Sequence, residues 1–346
     1  MMHRNLRSEV LVLAAAAALG LLGAARGTRI DDEIDLPALK EKFRRPVEMP
    51  HPADNAPSEA RVALGRMLFF DPRLSGSGIL ACSTCHNPGF SWTDGLERAV
   101  GHAMKPLPRR TPTILNVAWA EALFWDGRAS SLEEQALGPI ASPDEMNQPL
   151  EALVAKLAAV PGYPAQFEAA YPGEGITLPT IAKAIASFER TVVSGTAPFD
   201  RWLAGDEAAI GADAKRGFVL FNSKARCSTC HAGWRFTDDS FHDIGVRGED
   251  RGRGALLAEI EVLQHAFKTP TLRNVAERAP YMHDGSERRL EDTIALYDQG
   301  GRVRRPSLSH EIKPLDLSAE ESSQLVAFLH TLTSEDAPMS IPRFPR

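Results

Sequence analysis

Apolar residues recur at helical spacing in two long stretches of the chain. Leu178, Ile181, Ala182, Ile185, Phe188 and Val192 fall on one helix face. Thr177-Leu178-Pro179 supplies the start, a cap residue followed by an early proline. The second stretch carries Leu325, Phe328, Leu329 and Leu332 as one stripe, opened by the capping box Ser318-Ala319-Glu320-Glu321. Pro, Gly and Ser gather around Ser75–Ser77 and Pro106–Pro112, which read as loops. No clear alternating strand pattern runs anywhere, beyond short pairs, so the chain reads as mainly α. The N-terminus has a different pattern. Arg4 and Arg7 precede an apolar run to Ala25, which closes on the small residues Gly23-Ala24-Ala25. This is the layout of a cleavable export signal over residues 1–25. The run falls short of the about 20 residues a membrane-spanning helix needs, so cleavage rather than anchoring is expected.

Composition narrows the classes. The 346 residues have an ordinary apolar and charged content, which excludes disorder as the main state, and the length suits two domains. A net charge of −6 offers no basic surplus to neutralise phosphates, so nucleic acid is not an expected partner.

The four cysteines change the picture most. They occur as Cys82-Ser83-Thr84-Cys85-His86 and Cys227-Ser228-Thr229-Cys230-His231, with none left over. C-x-x-C-H is the attachment signature of c-type haem. The thiols add to the porphyrin vinyl groups, and the adjacent His ligates iron from the same turn. A redox dithiol or a zinc site would use C-x-x-C as well. Two identical copies, both ending in His, favour two covalently bound haems c.

The resemblance between the halves extends past these motifs. Gly65-Arg66-Met67-Leu68-Phe69-Phe70 precedes the first, and Gly217-Phe218-Val219-Leu220-Phe221-Asn222 the second. Thr111-Pro112-Thr113 is matched by Thr269-Pro270-Thr271, Trp125-Asp126-Gly127 by His283-Asp284-Gly285, and Leu132-Glu133 by Leu290-Glu291. From Thr111 onward the offset is a constant 158 residues. One haem module has been duplicated. The expected organisation is a signal over 1–25, an N-terminal peroxidatic haem domain over 26–205 and a C-terminal electron-transfer haem domain over 206–346. The join is expected within Phe199–Asp206.

With Phe124-Trp125-Asp126-Gly127-Arg128, Leu132-Glu133-Glu134-Gln135, Glu145-Met146 and Pro280-Tyr281-Met282-His283-Asp284-Gly285, the chain resembles the bacterial di-haem cytochrome c peroxidase family, which includes the MauG-type enzymes. The resemblance covers roughly Leu36 to Leu332. It implies two cytochrome c-like domains packed together, with the N-terminal haem reacting with peroxide and the C-terminal haem transferring electrons.

The resemblance also assigns roles. His86 and His231 would be the two proximal ligands. Glu145 matches the distal acid that moves a proton between the peroxide oxygens, although taken alone it reads as a solvated loop residue. Gln135 matches the amide that orients peroxide, with an exposed helix Gln as the alternative, and Trp125 the tryptophan between the haems, with a core Trp as an alternative that can hold at the same time. His102 matches a loop His that caps the resting peroxidatic iron in the peroxidases, whereas MauG-type enzymes keep that iron open; ligand and exposed loop residue stay equally open here. Tyr297 departs from the peroxidases, which place Met at this position as distal ligand of the C-terminal haem, and resembles the MauG-type enzymes, where a phenolate binds iron. A hard anionic oxygen favours ferric iron and lowers the potential relative to thioether. The position 158 residues earlier is Pro139, in the segment expected over the first haem. Met282 is a rival ligand but matches Phe124, which favours packing. His242 and His265 are weaker rivals, and His283 is expected between the haems. The family's calcium site would use positions held here by Arg110 and Arg278, and two cations argue against a dication there.

Three functions follow. The leading one is a periplasmic peroxidase that reduces hydrogen peroxide with electrons from a small cytochrome c or cupredoxin. The second is a MauG-like enzyme that stores two oxidising equivalents across both haems and oxidises a partner protein. The third is a di-haem electron carrier, against which Glu145 and Gln135 argue, since a carrier needs no distal acid. A homodimer is left open.

Overall fold

The computed structural model describes residues 35–336 and 338–346. The expected signal over 1–25 lies outside them. Among the described residues no helix is long and apolar enough to cross a membrane.

The chain is mainly helical. In order come α1 (Leu36–Glu41), α2 (Glu59–Phe70), α3 (Cys82–Cys85), α4 (Leu132–Ala141), α5 (Leu150–Ala158), α6 (Gly162–Ala170), α7 (Leu178–Arg190), α8 (Pro198–Leu203), α9 (Ala212–Asn222), α10 (Leu290–Asp298) and α11 (Ala319–His330). The extended structure among the described residues is slight. A two-residue strand β1 (Phe241–His242) runs antiparallel to β2 (Phe267–Lys268), with Phe241 opposite Lys268, and isolated bridges such as Leu123 with Ala129 make up the rest. Both predicted helix starts are found. Thr177 accepts from the Thr180 amide at the head of α7, and Ser318 from the Glu321 amide at the head of α11, each closing a reciprocal capping box.

Two helix pairs organise the apolar interior. Leu64, Leu68 and Phe69 of α2 pack on Ile181, Ile185 and Phe188 of α7 in the first core. Phe218 and Phe221 of α9 pack on Leu325 and Phe328 of α11 in the second. Each pair crosses at a glycine. A Cβ at Gly65 would lie 1.8 Å from the Ala184 carbonyl oxygen, and one at Gly217 would lie 1.9 Å from that of Gln324. The backbones therefore touch where any larger residue would part them.

The duplication also reaches the backbone dihedrals. Asn116, Phe124 and Gly127 take φ of 62°, 67° and 68°, and their counterparts Asn274, Met282 and Gly285 take 55°, 68° and 71°. The module ends are interleaved. Phe43 near the start of the described chain joins the second core, where its ring lies 5.0 Å from that of Phe236. Phe199, Trp202 and Leu203 of α8 join the same core. Met339 and Phe344 near the C-terminus pack on the first. Neither core is built from one unbroken stretch of chain, and the two modules are strapped together at both ends.

Candidate functional site

Each Cys-x-x-Cys-His segment folds as one tight turn. The His86 amide donates to the Cys82 carbonyl at 2.9 Å and the His231 amide to that of Cys227 at 2.8 Å, which sets each imidazole beside its two thiols. The His86 Nδ1 lies 3.3 Å from the Trp92 carbonyl and the His231 Nδ1 2.8 Å from that of Phe236. A carbonyl only accepts, so Nδ1 carries the proton and Nε2 keeps its lone pair for a metal. Burial, the largest cause, holds both imidazoles below their usual pKa, so both are neutral as ligation requires.

Both turns open on one continuous cavity of about 1040 Å³. All four thiols are free and line it, as do both histidines. The donor set fits two covalently attached haems, one per turn, and not a shared zinc ion. Among the described residues only Cys230, Asp238 and His242 cluster as a three-ligand group. There His242 already pairs with Asp238 at 2.9 Å, and Cys230 belongs to the haem motif.

The cavity gathers most of the residues singled out in the sequence. Gln135 on α4 lines it together with Pro139 from the last turn of that helix. Glu145 lines it from the turn that follows. Burial is the main cause that raises the Glu145 carboxyl; Arg128 opposes it and Asp144 adds to it. A carboxyl so placed can hold a proton or release it, as a distal acid must.

His102 is placed differently. Gly101 lies so close to the Glu145 turn that a Cβ there would come within 2.0 Å of the Asp144 carbonyl oxygen. The His102 amide donates to that carbonyl at 2.9 Å, and Lys105 pairs with the Asp144 carboxylate at 2.6 Å. The loop is thus pinned by its backbone, and His102 is not among the residues that line the cavity.

Tyr297 on α10 lines the cavity near Cys227 and Cys230. Burial drives the phenol well above its usual pKa, so an anionic oxygen there needs a cation in front of it. Met282 also lines the cavity, in the same left-handed conformation as its counterpart Phe124.

An aromatic bridge joins the two modules. Trp125 donates from Nε1 to the Arg110 carbonyl at 3.0 Å, and its own carbonyl accepts from the Lys268 amide at 2.8 Å. Its ring lies 6.4 Å from that of His283, which stacks on Phe267 at 3.5 Å. Burial pushes His283 down to about 4, so it is neutral near pH 7.

Glu189 is a cavity residue that the sequence reading passed over. It is 4% exposed on α7, and its Oε2 has no partner. Burial pushes its carboxyl up to about 8, with Glu133 adding and Arg190 opposing. The signal was present: position 189 lies between Phe188 and Val192 on the apolar stripe, where a charged residue is out of place. In the matching helix α11, Leu329 follows Phe328 in the same way and also lines the cavity.

Known proteins resemble this chain across both haem modules. A family model described as di-haem cytochrome c peroxidase matches residues 59–208, and one described as cytochrome c matches 214–333. A methylamine utilization protein MauG of Methylorubrum extorquens is 54% identical over 93% of this chain and 92% of its own length. A cytochrome c551 peroxidase of Nitrosomonas europaea is 37% identical over 84% of this chain and 85% of its own. The crystal structure of a MauG-like protein associated with microbial copper homeostasis superposes with a TM-score of 0.77 at 34% identity, covering 85% of this chain and 94% of that one.

Proposed function

Since the chain belongs to the di-haem cytochrome c peroxidase and MauG family of haem oxidoreductases and carries two covalently bound haems c, we propose that it works as a MauG-like enzyme. In this reading it takes two oxidising equivalents from hydrogen peroxide and passes them to a partner protein. The haems supply the storage of those equivalents. Glu145 accepts the proton from the near peroxide oxygen and returns it to the leaving one, while Gln135 orients the molecule. Trp125 and the stacked His283–Phe267 pair give a dense path between the two haem turns. The observation that carries this reading is Tyr297 on the cavity wall beside Cys227 and Cys230. A phenolate on the second iron favours its oxidised states. The wall position without His102, together with the 54% identity to a MauG protein, supports it further. The export pattern of residues 1–25 and the c-type attachment point to the periplasm.

The peroxidase reading, with a small cytochrome or cupredoxin as donor, draws support from the 37% identity to a cytochrome c551 peroxidase. Mixing hydrogen peroxide with the haem-loaded protein separates the two. A near-infrared charge-resonance band without steady oxidation of reduced cytochrome c is expected; rapid steady turnover of that donor would refute the MauG-like reading. Glu145→Gln should keep both haems and slow the peroxide reaction by on the order of 10²-fold. An unchanged rate would remove Glu145 from its role.

A further inference from the structure

Arg110 and Arg278 are 6% and 5% exposed, and both line the cavity between the haem turns. Arg110 knots the modules together. Its amide donates to the His283 carbonyl at 2.9 Å, its Nη2 to the Arg278 carbonyl at 2.9 Å, and its carbonyl holds Trp125. Its Nε has no partner at all. Arg278 donates from Nη2 to the Thr271 carbonyl at 2.5 Å and from Nε to that of Asn274 at 3.3 Å. Every acceptor of these two cations is a neutral backbone carbonyl. Among the described residues neither side chain meets a carboxylate. Burial, reinforced by Arg110, pushes Arg278 down to about 9, and the more distant charges of Glu277 and, for Arg110, Asp94 oppose the cost of burial without a direct ion pair.

The duplication supplies an internal control. At the 158-residue offset Arg110 corresponds to Lys268, which is part-buried and pairs with Asp239 at 2.7 Å. The carbonyls that accept from the proximal histidines, Trp92 and Phe236, align the two segments that follow. Thr93-Asp94-Gly95 then matches Thr237-Asp238-Asp239; Thr111 donates from Oγ1 to Asp94 at 2.8 Å, while its counterpart Thr269 donates to the Ser240 carbonyl at 3.4 Å. Lys268 pairs with Asp239, whereas the first-module position matched to Asp239 is Gly95, which has no carboxylate to offer Arg110. Arg278 corresponds to Ala120, so it is an added cation with no equivalent in the first module. The second module is charge-balanced from within, whereas the junction is left with two buried positive charges that face the haem cavity.

We propose that Arg110 and Arg278 form a guanidinium clamp for carboxylate anions at the module junction, and that these carboxylates are the propionates of the bound haems. Propionates are the anionic groups that haem c brings into such a cavity, and a guanidinium fork suits a carboxylate. The clamp fills the role a divalent cation would otherwise play there and fixes the two haems relative to each other. The proposal rests on the two haems alone and stands whichever substrate the enzyme takes.

The test uses the full haem-loaded chain. Arg110→Gln, Arg278→Gln and Arg110→Lys are checked for two haems each by the pyridine haemochrome assay. Their reduction potentials and their oxidised-minus-reduced infrared spectra in the carboxylate region are then compared with the parent. Removing a positive charge near iron should lower at least one potential in each Gln variant and shift the propionate bands, while Arg110→Lys recovers most of the potential. The parent, dialysed against EGTA, should keep its resting EPR spectrum and contain no stoichiometric calcium. Unchanged potentials and bands in the Gln variants would overturn the clamp, as would an EPR change on chelation. Bands that respond to exchange of buffer anions, and not to substitution, would overturn the assignment to propionate. If Arg110→Gln does not take up both haems, Arg110→Lys decides, since it keeps the charge but moves it: shifted propionate bands uphold the clamp and unmoved bands refute it.

Discussion

Replacing Glu189 by Gln tests how the cavity wall stores a proton. In the fold the Glu189 carboxyl sits at about 8, against an ordinary 4.5. Its folded-state pKa is raised, so the fold binds the proton more tightly than the unfolded chain does. The group therefore costs nothing below pH 4.5. Stability is lost as pH rises from there to about 8, and the loss is constant above. At about 1.4 kcal/mol per pH unit the ceiling on that loss is roughly 5 kcal/mol. Gln has the same shape and no charge at any pH. The difference in unfolding free energy between the two haem-loaded proteins should be under about 1 kcal/mol at pH 5 and grow steadily in favour of Gln up to about pH 8. Urea unfolding followed by far-ultraviolet circular dichroism, at half-unit steps from pH 5 to 9, reads this difference directly. Every other titrating group is common to both proteins and cancels. A flat difference curve would refute the reasoning, because it would mean that Glu189 ionises in the fold as readily as in the unfolded chain, with Arg190 offsetting its burial in full.

Two further outcomes are expected. Gly65→Ala and Gly217→Ala each push a methyl group into a carbonyl of the partner helix, at 1.8 and 1.9 Å, so each should destabilise by about 3 kcal/mol or more in thermal or urea unfolding. Replacement of Ala212, at the exposed head of α9, by Ser is the control and should change little. Tyr297→Met exchanges a hard anionic oxygen for a thioether and should raise the potential of the C-terminal haem in a redox titration, with both haems retained. A potential that stays put would show that Tyr297 does not reach the iron.

The chemistry-bearing residues were legible in the sequence because they are locally encoded. A Cys-x-x-Cys-His turn needs no distant partner to put two thiols and an imidazole on one side, and a capping box announces its own helix at Thr177 and Ser318. Duplication made the second module readable from the first, and the match of Met282 to Phe124 holds in the structure, where both take the left-handed conformation. Glu145, Gln135, Trp125 and Tyr297 were singled out through the family resemblance, and the fold brings all four to the lining of one cavity.

What depends on long-range packing was not legible. His102 stood between ligand and loop because its direction is set by Gly101 closing on the Asp144 backbone, a contact between segments more than 40 residues apart. Glu189 was passed over because periodicity reports which face is buried, not whether a buried polar atom finds a partner. The interleaving of Phe43 and Phe344 with the distant cores follows from surface that neither module covers alone. Composition fixes the number of arginines. Only the tertiary fold decides that Lys268 meets Asp239 while Arg110 meets backbone carbonyls and no carboxylate among the described residues, since an ion pair is a property of distance in space and not of position along the chain.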